Sequence, residues 1–364
     1  MDFNFTEEQL AFRDGVADIL RDEVTPATIR RRWDSDTGLD AGLSHRLIDF
    51  GLPAMLVPED MGGLGLSEVD FILLAQACGS VALPEPLVDE ALVATPLLVE
   101  IANTTMTGGE RARALLPEVA NGTTRVAIGH WINPYVNFAD SADLLLLAHG
   151  DEVHLIAASD AQLVSQRSLD PSRRLSKITW QPSQASRLAD GPVAATLWRC
   201  ALNRGALGIA AQLLGLAEAM LQQTVQYSID RQQFGRSIGA NQAVKHLLAD
   251  CAVKIEFAKP AVYRAAYTVS VAPARADFAV SHAKVAAGQA ALLCAKNCMQ
   301  VHGAMGYTWE CDLQIWMKRS WALDKNWGDA GFHKNRIHEW LLRPGALLGA
   351  DQTFGNAHLA VVAE

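Results

Sequence analysis

The sequence predicts an α+β fold, mostly α, with its sheet confined to the middle of the chain. Apolar side chains recur at helical spacing over residues 6–120, the pattern switches to short β-type runs between about 123 and 185, and helical spacing returns from about 194 to 343. The implied division is a helical domain at 1–122, a reduced β domain at 123–193, a helical bundle at 194–345 and a tail at 346–364 with no readable pattern.

The first helix should open at Thr6, which makes a capping box with Gln9; Phe12, Val16, Ile19 and Leu20 form one face and Pro26 stops the run. A second helix has the face Leu39, Leu43, Leu47 and Phe50 and ends at Gly51, and a third begins at Ser67. The glycine-rich turn before it, Gly62-Gly63-Leu64-Gly65, has neither a preceding strand nor a Gly-Lys-Ser/Thr ending, so it reads as a structural turn and not a phosphate loop. In the middle, residues 125–131 read as a strand, Leu144–His149 and Glu152–Ala157 flank Gly150-Asp151 as a hairpin, and residues 178–180 add a short β segment. The helix at roughly 201–230 is apolar nearly all round between Leu207 and Leu221, so it must be buried on every side. Long helices of that kind also build oligomer interfaces, and a dimer or larger assembly is expected. The next helix places Val244, Leu247, Leu248, Cys251, Ile255 and Ala258 on one core-facing side, with Pro260 expected to kink or end it.

A chain of 364 residues, half of them hydrophobic, can bury a large core. Its 31 Lys+Arg against 40 Asp+Glu give a net charge of −9, which disfavours attraction to nucleic acid or to anionic lipid. The charge-free stretch at 205–217 is too short to cross a hydrocarbon core of about 30 Å. With an acidic N-terminus running straight into a helix, a cytoplasmic location is expected. The six cysteines form neither a disulfide scaffold nor a CxxC pair; Cys294 and Cys298, four apart, read as buried small hydrophobes, and no metal is assigned.

Residues 230–250 contain Arg231-Gln232-Gln233-Phe234-Gly235 followed by Gln242-Ala243-Val244-Lys245-His246-Leu247-Leu248-Ala249-Asp250. This strongly resembles the acyl-CoA dehydrogenase family signature, R-x-x-F-G then Q-A-V-x-x-x-L-A-D. Gln300-Val301-His302-Gly303-Ala304-Met305-Gly306-Tyr307-Thr308-Trp309-Glu310 is similar to the family's Q-x-x-G-G-x-G-Y-T-x-E, and the run from Pro58 to Ser67 to its P-E-x-x-G-G-L-G-L-S turn. The resemblance implies an N-terminal helical domain, a middle β domain, a C-terminal four-helix bundle and FAD as cofactor. It also implies that Arg231, Phe234, Gly235, Gln242, Gln300 and Gly303 contact the pyrophosphate and adenosine end of a neighbouring subunit's FAD. A guanidinium is suited to that task, since it presents a permanent charge and a bidentate fork to phosphate oxygens. Ala304 departs from the family's second glycine, and its methyl would crowd that contact.

The family reaction removes a proton next to an acyl-CoA thioester, which requires a positioned carboxylate. Most members keep it as the Glu of a Y-E-G-T run, where Trp327 stands here; a minority keep it before R-x-x-F-G, where ungapped counting gives Gly205, beside Arg204. Indole cannot act as a base. No catalytic residue is therefore assigned, and the displaced acids Asp329, Asp324 and Glu310 are the alternatives, Asp329 being more readily a helix cap. His302 and His246 stay unassigned. The family's flavin-ring loop, T-E-P-x-A-G-S-D, has no counterpart, and Trp131-Ile132-Asn133-Pro134 only partly echoes its W-I-T-N strand. The combination resembles the degenerate subunit of bacterial heterotetrameric (α2β2) dehydrogenases of steroid side chains. It implies a catalytic partner chain, an acyl-CoA substrate and electron-transfer flavoprotein as acceptor. A self-sufficient homomer and a flavin-free scaffold are the competing readings.

Overall fold

A computed structural model describes residues 4–346. α1 (Glu7–Glu23) begins at the expected capping box, with Gln9 N–H donating to Thr6 Oγ1 at 3.2 Å and Thr6 N–H to Gln9 Oε1 at 2.9 Å. Pro26 does more than stop that helix. It occupies the first turn of α2 (Pro26–Trp33), where its missing N–H costs nothing, and the sequence reading did not separate this helix. α3 (Ala41–Asp49) buries Leu43 and Leu47, but Leu39 precedes it and Phe50 is 43% exposed, so the expected four-residue face is only half core. Gly51 ends α3 at φ 72°.

The glycine turn folds back on residues 54–57, with Leu64 and Leu66 N–H donating to the carbonyls of Ala54 and Met55, as befits a structural turn. α4 (Glu68–Ser80) follows from Ser67. A π-helical stretch at Val88–Ala94 runs into α5 (Thr95–Ala102), and α6 (Thr107–Ala120) completes the N-terminal layer.

The middle region holds β1 (Val126–Gly129), β2 (Val136–Asn137), β3 (Leu144–His149), β4 (Glu152–Ala157), β5 (Gln162–Gln166), β6 (Leu175–Thr179) and β7 (Arg187–Asp190). One sheet has the order β1-β3-β4-β7, with β1 and β3 parallel; the other has the order β2-β6-β5. The hairpin forms with His149 opposite Glu152, as its Gly150-Asp151 turn predicts. Residues 131–134 are a turn after β1, so they are not the W-I-T-N-like strand.

α7 (Gly191–Asp230) starts ten residues earlier than expected, with Pro192 in its first turn. β8 (Gln232–Gln233) and β9 (Arg236–Ser237) pair into a small loop, followed by α8 (Gln242–Val271), α9 (Ala276–His302), α10 (Leu313–Asp324) and α11 (Ala330–Leu342). Pro260 lies inside α8, which does not end there. Cys294 and Cys298 are both fully buried.

The apolar part of α7 is covered by this chain's own α4, α8, α9 and α10, so it gives no argument for an oligomer. α4 and α7 cross so closely that a Cβ on Gly79 would stand 2.1 Å from the Gln212 carbonyl oxygen, and one on Gly215 2.0 Å from that of Gln76. By length and composition α7 and the α9 region could cross a membrane, but 78% and 61% of their apolar windows are buried inside the protein, as in core helices.

Candidate functional site

The first half of the site is the end of the bundle where α7 and α9 both terminate. The Tyr227 ring, one turn before the end of α7, stacks on His302 at the end of α9, with centroids 4.1 Å apart and planes at 16°. That contact brings the 231–235 loop, the start of α8 and the turn after α9 to one surface. Arg231, Phe234, Gly235, Gln242, Gln300 and Gly303 all lie exposed on it.

Phe234 is 97% exposed at φ 52°, and the Arg231 guanidinium has no ion pair among the described residues. Gly235 (φ 75°) and Gly303 (φ 60°) have no atom within 4 Å of where a Cβ would sit, which leaves their backbone open to close approach. A free cation, a bare aromatic ring and open glycine backbone fit the pyrophosphate and adenosine end of FAD.

The second half lies in the interior. Trp327, in the turn between α10 and α11, is 1% exposed and sits at φ 54°, a left-handed conformation that bulky residues seldom adopt. Three hydrogen bonds fix it: its indole N–H donates to Asp89 Oδ1 at 3.0 Å, its backbone N–H to Asn133 Oδ1 at 2.8 Å, and its carbonyl accepts from His333 Nε2 at 2.9 Å. Burial, with the nearby Lys284 charge, pulls His333 down to about 3, so it is neutral and can accept from Ser281 Oγ at Nδ1. Lys284 Nζ donates to the Asp324 and Gly328 carbonyls at 2.8 and 3.1 Å, pinning the turn on both sides; burial lowers it to about 8.

The indole lies flat against Gly205 of α7, so close that a Cβ on Gly205 would stand 2.2 Å from Trp327 Cδ2. The two positions that the resemblance assigns to the family's acid are therefore in contact, and the indole fills the space beside Gly205. The cavity left beside it, lined by Asp89, Ile128, Asn133, Asn137 and Arg173, measures about 10 Å³, room for one water at most. A larger cavity of about 500 Å³ lies elsewhere, between α3, the π-helical stretch and β1, where Glu90 pairs with Arg125 at 2.9 Å.

None of the displaced acids reaches this point as a free base. Asp329 caps α11, accepting from Phe332 N–H at 2.9 Å, and that bond first of all holds its carboxyl below the usual range. Asp324 is 4% exposed and faces Gly288 and Lys325. Glu310 is exposed in the loop beside Trp309, whose ring packs against Trp33. Arg204 turns away from the site to Glu68 and Glu100, each at 2.8 Å; burial opposes its charge, but these two carboxylates outweigh it and raise its pKa. His302 is buried with Nδ1 donating to the Cys298 carbonyl, and His246 is exposed on α8.

Sequence reasoning missed Asp89, the carboxylate nearest the indole. Its two oxygens accept from Trp327 and, at 3.3 Å, from Asn137. Nothing local marks it, because its partners come from distant segments.

Residues 6–122 match the family model described as acyl-CoA dehydrogenase, N-terminal domain, and residues 195–342 the one described as acyl-CoA dehydrogenase, C-terminal domain. Two solved structures share the fold. The ChsE4-ChsE5 complex from Mycobacterium tuberculosis has TM-score 0.81 at 23% identity, covering 95% of this chain and 100% of that one. The Tcur3481-Tcur3483 steroid ACAD has TM-score 0.79 at 23% identity, covering 92% and 97%. The acyl-CoA dehydrogenase IpdE2 of Mycobacterium tuberculosis is 32% identical over 317 residues, which is 86% of this chain and 91% of that protein. With both flanking domains matched and a relative aligned over nearly its whole length, the chain belongs to the acyl-CoA dehydrogenase family.

Proposed function

We propose that this chain is the base-less subunit of a heteromeric, flavin-dependent acyl-CoA dehydrogenase. It pairs as α2β2 with a second dehydrogenase-like chain that keeps the acid, and it lends its bundle end to that partner's FAD. The observation that carries the reading is the indole of Trp327 seated on Gly205, where proton abstraction needs an ionised carboxylate.

FAD, when bound, would supply a hydride acceptor. The residues of this chain would do the holding: Arg231 would neutralise pyrophosphate, Phe234 would offer an apolar face, and Gly235, Gln242, Gln300 and Gly303 would supply close backbone and amide contacts. At that point its interior is closed to substrate, with Trp327 leaving about 10 Å³, room for one water at most. A cytoplasmic location and transfer of electrons to an electron-transfer flavoprotein belong to the same reading. A steroid side-chain thioester is the substrate it favours, because one fold relative is a steroid ACAD.

Co-expression of the chain with an adjacent dehydrogenase-like partner tests the reading. Arg231→Ala should lower the flavin content of the purified complex, and unchanged flavin and activity would count against the contact in trans. A second reading is a self-sufficient homomer, for which Asp89 is better placed than Asp329, Asp324 or Glu310. The chain purified alone should then be yellow and bleach with an acyl-CoA, and Asp89→Asn should abolish the bleaching. A flavin-free scaffold would instead give a colourless complex.

A further inference from the structure

The β3–β4 hairpin brings together three side chains that the dehydrogenase reading does not use. Its register sets His149 opposite Glu152, and His154, two residues along β4, falls on the same face. His149 Nδ1 stands 3.6 Å and His154 Nε2 3.0 Å from one oxygen, Glu152 Oε2, and one ligand atom from each residue can be chosen so that all lie within 4.8 Å of one another. A tetrahedral ion with bonds of about 2.0–2.2 Å spaces its ligand atoms about 3.3–3.6 Å apart. The His149 distance to Glu152 meets that spacing, and the His154 distance falls a few tenths of an ångström short of it.

The surroundings of His154 suit a metal ligand. With Nε2 on an ion, Nδ1–H would donate to Ser186 Oγ at 2.9 Å. Without an ion, Nε2–H donates to Glu152 Oε2 at 3.0 Å in its place. Arg187 takes Oε1 at 2.9 Å and leaves Oε2 to the histidines. The Trp180 ring packs edge-on against His154 at 5.0 Å and flanks His149 at 6.1 Å.

We propose that His149, Glu152 and His154 bind a divalent transition-metal ion, Zn²⁺ by the chemistry of two imidazoles and one carboxylate with a position left open. Ser186 is the outer partner that orients His154, as metal-bound histidines require. The ligands all lie on the hairpin, which Arg187 of β7 and the Trp198 indole of α7, donating to the Glu152 carbonyl at 3.0 Å, hold in place. The sequence reading assigned no metal because it searched the cysteines; these ligands straddle a turn and come together only through strand pairing.

The test strips the full-length chain, with any co-purified partner, of metal by chelation. Zn²⁺ is then titrated by calorimetry and Co²⁺ by its visible absorption. One equivalent of each should bind. His149→Ala, which alters an exposed side chain, should weaken binding at least tenfold, and Ser186→Ala should weaken it by about 10–100-fold. Arg187→Ala should tighten it, since a cation leaves the ligand oxygens. No binding to the wild-type chain, equal affinity in His149→Ala, or weaker affinity in Arg187→Ala would overturn the proposal in favour of a hydrogen-bonded network that holds no metal.

Discussion

Replacing Gly205 by alanine asks whether Trp327 is a fixed plug or an adjustable one. In an ordinary helix interior the change stabilises by about 0.8–1 kcal/mol. Here the new Cβ would stand 2.2, 2.4 and 2.6 Å from the Cδ2, Cε2 and Cγ atoms of the indole, far inside contact distance. The ring cannot withdraw by an ångström without breaking its bond to Asp89 at 3.0 Å and straining those of its backbone to Asn133 and His333. Overpacking costs about 1–3 kcal/mol, and a buried hydrogen bond lost with it about 1 more. The net is a loss of about 1–3 kcal/mol, read as a lower urea midpoint at unchanged slope. Gly15 in α1 is the control, because its added Cβ meets no atom within 4 Å; Gly15→Ala should gain about 0.5–1 kcal/mol. Adding Trp327→Ala to Gly205→Ala should cost less than the sum of the two, with a coupling of at least about 1 kcal/mol. A Gly205→Ala protein as stable as the Gly15→Ala protein would refute the reasoning.

Arg319 and Asp170 form a buried ion pair at 2.8 Å, and Arg319 also donates to the Leu83 carbonyl. Arg319→Ala should therefore cost about 3–5 kcal/mol in denaturant unfolding, and a loss below about 1 kcal/mol would contradict the pairing. Lys284 titrates near 8 in the folded chain against 10.5 unfolded, so the unfolded chain holds the proton longer. Stability should rise between pH 8 and 10.5 by on the order of 3 kcal/mol, and Lys284→Met should abolish the rise. Phe234→Ser should leave unfolding unchanged, because the ring is 97% exposed, yet weaken co-elution of the chain with the proposed partner in size-exclusion chromatography.

Local chemistry explains which parts of the fold were legible. The Thr6–Gln9 box, the Ser67 start and the Gly150-Asp151 turn depend on a few adjacent residues, and each formed where expected. Pro26 hid a second helix because proline both stops one helix and suits the first turn of another, as Pro192 also does at the start of α7. Pro260 was tolerated inside α8, on an exposed face. Burial of Phe50 could not be judged from spacing, since a periodic face does not say where its neighbours end. The resemblance singled out Trp327 and Gly205 one at a time, but their contact was not legible, and neither were Asp89 and His333, which hold the indole from other segments. Likewise, the motif residues marked the bundle end, while the Tyr227–His302 stack that assembles it is tertiary.

The most direct test of the central claim is the flavin-to-chain ratio of the co-purified complex, measured by absorbance before and after an acyl-CoA is added anaerobically. One flavin for each pair of unlike chains, all of it bleached and all bleaching lost when the partner's acid is replaced, is the predicted result. One flavin per chain, with bleaching that survives loss of the partner's acid, would show that this chain completes turnover by itself.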